Sequence, residues 1–254
     1  QYNESFIAII PESGSTRLEN GNALQAVINN AGTKMPYGRP LSRTNRYSIL
    51  LYPGTYDVPV PASFFTFNKN QFVDFYGVGN KEDIVITSAG AISFHTGECN
   101  IKNISFLGTG TAAPGLSWPY SFNNLTFENV VTSGNVDGIA STSVANLNIY
   151  SGINIKDSWL IGGMFTQTFA ETTNSLVNCT FENVIFDNRP EFANGAVGSK
   201  CHFPASLRQP HQRNIFSNCK IYDRNSAGAM FPIYGSSYSF DESNLFKNCY
   251  ISGG

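Results

Sequence analysis

FENVIFDN, residues 181–188, repeats the opening four letters of FENVVTSG, residues 127–134, at a distance of 54 residues. The meaning of this match depends on whether weaker copies lie around it. Five other segments share its form: an apolar residue, a variable one, Asn or Asp, a small or apolar residue, a variable one and usually an apolar one. In chain order the seven copies are FVDFYG (72–77), IKNISF (101–106), FENVVT (127–132), IKDSWL (155–160), FENVIF (181–186), FSNCKI (216–221) and FKNCYI (246–251).

The third position of every copy is Asn or Asp, and successive copies lie 29, 26, 28, 26, 35 and 30 residues apart. A regular period of this length is typical of stacked repeat architectures. It is too short for propeller blades and lacks the leucine pattern of leucine-rich repeats. The period therefore predicts one turn of a parallel β-helix, with coils stacked about 4.8 Å apart. The third-position residues are Asp74, Asn103, Asn129, Asp157, Asn183, Asn218 and Asn248.

The pattern also predicts which way each column of side chains faces. Positions one and four would face opposite sides of an unbroken strand, yet both are mostly apolar, so the chain must bend between them. Asn and Asp tolerate the left-handed conformation that such a bend needs. We expect an asparagine ladder at a tight corner and an interior stack in the fourth column. The second column alternates in charge from Lys102 to Glu182, as suits exposed neighbours on adjacent strands.

These columns predict an all-β protein, a right-handed parallel β-helix with an N-terminal capping helix. A β-sandwich whose Asn-rich loops imitate a period is the alternative. The helix is predicted over 20–32, where Ala23, Leu24, Val27 and Ile28 form an apolar face and Asn20 or Asn22 is the expected N-cap. Coils follow over 47–254, beginning with the strand and Pro-Gly turn of YSILLYPGTYDV (47–58), and the whole chain 1–254 is predicted to be one domain. Residues 189–210 interrupt the repeat and are predicted to protrude as a loop.

Composition excludes several classes of function. The formal net charge is -2 and only 13% of the residues are charged, which argues against nucleic-acid binding. The apolar runs are too short for a transmembrane helix, so no membrane insertion is predicted. The five cysteines form no CxxC pair and are predicted to be buried thiols. No cofactor and no metal site are predicted, because Cys201, His202 and His211 lack ligand spacing.

LQAVINNA, ILLYPGTYDV and FVDFYGVGNKEDIVIT together resemble the opening of pectin-lyase-like right-handed β-helix proteins. This group includes pectin methylesterases, polygalacturonases, pectate lyases and phage tailspikes. The resemblance covers roughly residues 20–110 by motif and the remainder by coil pattern. It implies the fold, and it implies a function connected with polysaccharides.

Four carboxylates are candidates for catalysis: Asp137, Asp187, Glu191 and Asp223. GNVDGI (134–139) resembles the Asn-Thr-Asp-Gly motif of polygalacturonases, which implies a catalytic role for Asp137. The next coil lacks that family's aspartate pair, and no Gly-His-Gly follows, so a turn residue before Gly138 is the favoured interpretation. Asp187 and Glu191 flank the predicted loop and Asp223 lies one coil on, where stacked positions about 5 Å apart suit a retaining glycosidase pair. Solvated surface acids are the alternative.

Aromatic residues give the candidate carbohydrate-binding set: Trp118, Tyr120, Trp159 and Tyr222. Flat aromatic faces suit sugar rings, although packing of loops onto the coils explains them equally. The leading prediction is a carbohydrate-recognising β-helix of the tailspike or adhesin type that binds surface polysaccharide, located extracellularly or on a virion surface. The alternatives are a polysaccharide-degrading hydrolase or lyase and a purely structural component. A homotrimer is expected by analogy with tailspikes, and a partner protein covering the C-terminal end is expected as the alternative, because FKNCYI is followed by only three residues.

Overall fold

The computed structural model describes residues 4–59, 64–111, 113–134, 138–140, 147–164, 173–187, 189, 211–222 and 243–252. Within them the chain winds through parallel sheets, each coil adding one strand to each of two long sheets. The nine-stranded sheet consists, in spatial order, of Phe6–Ile9 (β1), Tyr47–Leu51 (β2), Val73–Gly77 (β5), Cys99–Lys102 (β8), Leu125–Glu128 (β12), Asn154–Lys156 (β16), Thr180–Glu182 (β19), Ile215–Ser217 (β21) and Leu245–Lys247 (β23).

The other strands form the remaining sides of the coils. The eight-stranded sheet consists of Gly54–Asp57 (β3), Ile84–Ser88 (β6), Ser105–Gly108 (β9), Val131–Ser133 (β13), Trp159–Ile161 (β17), Ile185–Asp187 (β20), Lys220–Tyr222 (β22) and Tyr250–Ser252 (β24). A four-stranded sheet contains Phe64–Asn68 (β4), Ala91–Phe94 (β7), Leu116–Ser117 (β10) and Ile139–Ala140 (β14), and a three-stranded sheet contains Phe122–Asn123 (β11), Leu147–Ser151 (β15) and Thr173–Val177 (β18). The predicted parallel β-helix is confirmed.

The asparagine corner joins the nine-stranded sheet to the eight-stranded sheet. Six of the seven predicted residues have φ between 50° and 57°: Asn103, Asn129, Asp157, Asn183, Asn218 and Asn248. Backbone N–H groups at the corner bond to the next coil, and side chains bond along the stack, as from Asn129 Nδ2 to Asn103 Oδ1 (2.8 Å). The seventh assignment, Asp74, is wrong. Phe75 pairs with Ile101, so the first copy was read out of register and Asp74 lies within a strand.

A second left-handed corner precedes each strand of the nine-stranded sheet from β5 to β21. The repeat pattern of the sequence did not predict it. Its residues have φ between 52° and 64° and are Phe72, Glu98, Asn124, Gly152, Asn178 and Arg213. From Glu98 onward each lies five positions before a residue of the asparagine corner. This corner was hidden because Phe, Glu and Arg carry no turn signal, whereas Asn or Asp occupies every position of the first corner that the structure describes.

The interior is a set of stacked side-chain columns. The fourth column is buried as predicted at Ile104, Val130, Ser158, Val184 and Cys219, and Cys249 in the last coil is half-buried. Phe181, Phe216 and Phe246 stack with ring centroids 4.6 Å apart at both steps. Cys99, Cys179, Cys219 and Cys249 are free thiols, in agreement with the prediction, and Cys201 lies outside the described residues.

One helix covers the N-terminal end of the stack. Helix α1 spans Arg17–Ala31 and packs on β3 through its buried side chains, which include Leu24 and Ile28. Its N-cap is Thr16, in a capping box with Glu19, rather than Asn20 or Asn22. Asn20 instead donates from Nδ2 to the Thr55 carbonyl (3.1 Å), tying the helix to the first coil.

Three further findings concern strand β1, helix α1 and the length of the described helices. Strand β1 adds one more strand before the helix, outside the predicted coils. Ala23, predicted on the buried face of α1, is exposed. No helix among the described residues is long and apolar enough to cross a membrane.

Candidate functional site

The outer face of the eight-stranded sheet carries an aromatic and apolar surface on strands β17, β20, β22 and β24. Phe186, Leu160 and Ile221 point into the core, so by the alternation of a strand their neighbours point outward. Trp159 is in register with Ile185, and Asp187 is in register with Tyr222. Tyr250, 56% exposed, extends the same face one coil further. We call Trp159, Asp187, Arg189, Tyr222 and Tyr250 the aromatic face.

Asp187 is the anchor of the aromatic face. It lies on an outward position and yet is fully buried, because neighbouring side chains cover it. Its Oδ1 accepts from the backbone N–H of Arg189 (3.1 Å) and from Arg189 Nε (2.9 Å). Its Oδ2 accepts from Arg189 Nη2 (2.7 Å) and from Trp159 Nε1 (3.1 Å). Four donors therefore hold both oxygens, which fixes the orientations of the indole and the guanidinium.

Arg189 connects Asp187 to the tyrosines. Its guanidinium lies 4.0 Å from the centroid of the Tyr222 ring, within the range of a cation–π contact. The rings of Tyr222 and Tyr250 follow, with centroids 5.7 Å apart. Because Asp187 is buried against Arg189, the pair contributes no net charge to the surface. Arg189 and Tyr250 were not predicted as site residues; the signal for Arg189 was its position two residues after Asp187 in FDNRP.

Two of the predicted carbohydrate-binding residues lie away from this face. Trp118 is fully buried in the core, where its ring packs on Phe122, Phe127 and Tyr150, so the surface role predicted for it is wrong. The two residues before it, Leu116 and Ser117, form strand β10. Tyr120 is 53% exposed and packs edge-on against His95, with ring centroids 5.0 Å apart, on a different side of the coil.

The other predicted carboxylates are not placed. Asp137, Glu191 and Asp223 lie outside the described residues, as do residues 190–210 of the predicted loop. The strand register pairs Asp187 with Tyr222, so the position stacked directly on Asp187 is occupied by an aromatic residue. The pairing of Asp187 with a second carboxylate stays a prediction.

The described cysteines and histidines have structural roles. Burial raises the pKa of the Cys179 and Cys219 thiols to about 12, which keeps them protonated and disfavours nucleophilic attack. His211 is buried, and its Nδ1 accepts from the Leu176 N–H (2.9 Å). Among the described residues, no three His, Cys, Asp or Glu side chains are grouped as metal ligands would be.

The aromatic face is thus held in a fixed arrangement. Trp159 and Tyr250 belong to strands three steps apart, a distance of about 14 Å at the usual strand spacing. The rings are supported by rigid strands, and the Asp187–Arg189 contact fixes the group between them. Such a surface can stack against planar or ring-shaped ligands.

Comparison with known proteins gives little beyond the fold. No family model matches the chain, and no curated protein matches it. One solved structure that is similar is that of rice weevil pectin methyl esterase, with 14% sequence identity, a TM-score of 0.40, and coverage of 92% of this chain and 86% of that chain. The β-helix is established by the strand register of the chain itself, and the resemblance predicted from its sequence holds at the level of fold.

Proposed function

We propose that the protein recognises carbohydrate and binds a surface polysaccharide along the aromatic face. The observation that carries the proposal is the set of outward rings, Trp159, Tyr222 and Tyr250, arranged around the ion pair of Asp187 with Arg189. Tyr250 is 56% exposed, and Trp159 and Tyr222 are half-buried on the same face. A β-helix offers no flexible hinge between its coils, so a bound chain meets rings that are already in place.

The chemistry of the face suits sugar rings. A pyranose has an apolar face of C–H groups and an edge of hydroxyls, which match an aromatic ring and an adjacent hydrogen-bond donor. Several such contacts in a row favour a polymer over a monosaccharide, because each additional sugar adds a contact without a new loss of translational freedom. The proposal extends to recognition of the tailspike or adhesin type, outside the cell or on a virion, where polysaccharide coats are encountered.

A panel of acidic and neutral polysaccharides tests this function. Binding is measured by affinity electrophoresis, and release of reducing ends is measured in the same mixtures. We expect at least one polysaccharide to retard the protein, and we expect Tyr250→Ala to weaken that retardation about tenfold, the loss of one stacking contact.

Tyr120→Ala is the matched control, because Tyr120 is similarly exposed on another side of the coil. Equal effects of the two substitutions, or no retardation by any polysaccharide, would contradict the proposal. Release of reducing ends would identify the alternative, a polysaccharide-degrading enzyme.

A further inference from the structure

A concave surface lies at the N-terminal edge of the nine-stranded sheet, next to β1 and β2. Its volume is about 470 Å³, and it is bounded by the outward side chains of these strands and by the segment that precedes β2. The lining residues that matter for its chemistry are Phe6, Tyr37, Arg43, Arg46, Ser48 and Leu50. We call it the N-terminal cleft. It lies on a different sheet from the aromatic face.

The loop that forms one wall of the N-terminal cleft is held in a fixed shape. Asn45 Nδ2 donates to three carbonyl oxygens of the same loop, those of Pro36 (3.0 Å), Arg39 (2.8 Å) and Pro40 (3.1 Å). The backbones of Ser42 and Asn45 also exchange two hydrogen bonds (2.9 and 3.2 Å). A ligand entering the cleft would therefore meet a preorganised wall rather than a loop that must be ordered on binding.

Two arginines supply hydrogen-bond donors to the cleft. Arg46 uses Nε and Nη2 to bond Asp74, and Nη2 also bonds the Glu98 carbonyl, so Nη1 keeps its donors free of described residues. Arg43 bonds Glu98 through Nη2 alone, and its side chain is 71% exposed. The described residues that line the cleft include no carboxylate. Asp74 and Glu98, the acids that bond the two arginines, do not line the cleft. The remaining N–H groups of the arginines are available to a ligand.

Two exposed aromatic rings flank these donors. Phe6 is 51% exposed and Tyr37 is 75% exposed. Tyr37 also has a left-handed backbone, with φ of 55°, a conformation that is unfavourable for a bulky residue. Strained backbones of this kind concentrate at binding sites. Exposed rings beside uncommitted guanidinium donors are a combination that recognises an anion carried on a ring.

We propose that the N-terminal cleft binds a carboxylate-bearing ring, with the ring between Phe6 and Tyr37 and the carboxylate on Arg43 and Arg46. A six-membered sugar acid and an aromatic carboxylate share this chemistry. Arg43 supplies the more exposed donors and Arg46, locked by Asp74, supplies a fixed one. Ser48, on the floor of the cleft, adds a hydroxyl that can bond a ring substituent.

Ligand-observed NMR titration at low salt tests the proposal with four probes: sodium glucuronate, sodium benzoate, and the neutral controls glucose and benzyl alcohol. We expect at least one acid to bind more tightly than its neutral counterpart. We expect Arg43→Gln to weaken that binding at least about tenfold, because a charge-assisted hydrogen bond is lost. Tyr37→Ala should weaken it as well. Circular dichroism should show both variants folded, since both side chains are exposed.

Arg39→Gln is the matched control, an exposed arginine of the same loop that does not line the cleft. Retained binding in Arg39→Gln together with loss in Arg43→Gln supports the site, and the acid that binds shows which ring it takes. If neither acid binds better than its neutral control, or if the two arginine variants behave alike, the proposal is wrong. Tyr250→Ala should leave this binding unchanged, so the outcome is independent of the polysaccharide experiment.

Discussion

The two long sheets of this β-helix share the same coils and the same kind of core, but their outer faces differ. On the nine-stranded sheet one outer column reads Lys102, Glu128, Lys156 and Glu182, with opposite charges in register on successive strands. On the eight-stranded sheet the corresponding column on the same four coils reads Ser105, Val131, Trp159 and Ile185, and Lys220 follows. A two-residue corner on each coil separates these surfaces, so both belong to the same stack of coils.

The contrast separates a solvated, charged surface from one that carries aromatic rings. Lys102 Nζ lies 2.8 Å from Glu128 Oε1, but both side chains are 42% exposed, and such pairs contribute little to stability. Their column is what a solvated sheet needs to remain soluble. The aromatic face instead retains apolar rings at an outward position and buries a carboxylate to orient them. We propose that binding of a ring-shaped ligand is the reason for that arrangement.

The largest effect should come from removing the anchor of the aromatic face. Asp187→Ala leaves the guanidinium of Arg189 and the Trp159 N–H without their acceptor, so we expect a loss of about 2–3 kcal/mol in the free energy of unfolding. Urea denaturation measures this loss. Polysaccharide binding should fall with it, because Arg189 and Trp159 are no longer oriented.

Glu128→Ala is the control for that substitution on the other sheet. It removes an acid that is half-exposed, and we expect a change below about 1 kcal/mol with unaltered polysaccharide binding. Similar losses for Asp187→Ala and Glu128→Ala would remove the distinction between the two faces.

A smaller effect is expected at the corner that both faces share. Asn183 has φ of 53° and donates from Nδ2 to Asp157 Oδ1 (2.9 Å). Asn183→Ala should cost about 1–2 kcal/mol, because alanine resists the left-handed conformation. Asn183→Gly removes the same hydrogen bond but accepts the conformation, so it should cost less. If alanine proved no worse than glycine in urea denaturation, backbone conformation would not be the reason for asparagine there.

The smallest effect should be found within the charged column. Lys102→Gln should lower the free energy of unfolding by about 0.5 kcal/mol or less, and added salt should reduce the difference further. Lys247→Gln serves as its control, since the registered neighbour of Lys247 is the uncharged Ser217. A larger decrease in the free energy of unfolding for Lys102→Gln that does not change with salt would mean that the charged column stabilises the fold.

The sequence predicted the fold well because the asparagine corner has a residue type of its own. Asn103 and Asn183 are recognisable at a fixed period, and their neighbours alternate between core and solvent. The second corner was not predicted, because Phe72, Glu98 and Arg213 adopt the left-handed conformation against their local preference. The stacking of the coils imposes that conformation on them. Asp74 was misread for a related reason. Its place is set by strand pairing and by Arg46.

The candidate site was only partly predictable. Asp187, Trp159 and Tyr222 were singled out individually, but their contact depends on strand register, which the sequence shows only approximately. The role foreseen for Asp187 was catalytic, and its four hydrogen bonds give it an orienting role. Trp118 was predicted to lie on the surface, because its segment is rich in Pro and Gly. It lies in the core instead, next to the two residues that pair as strand β10.

The most direct test of the central claim is the crystal structure of the protein soaked with an oligosaccharide from a polysaccharide that retards it. We predict sugar rings stacked over Trp159, Tyr222 and Tyr250, with a hydroxyl bonded to Arg189 and the chain running across successive coils. An oligosaccharide bound along the Lys102–Glu182 column of the nine-stranded sheet, with the aromatic face empty, would contradict the account.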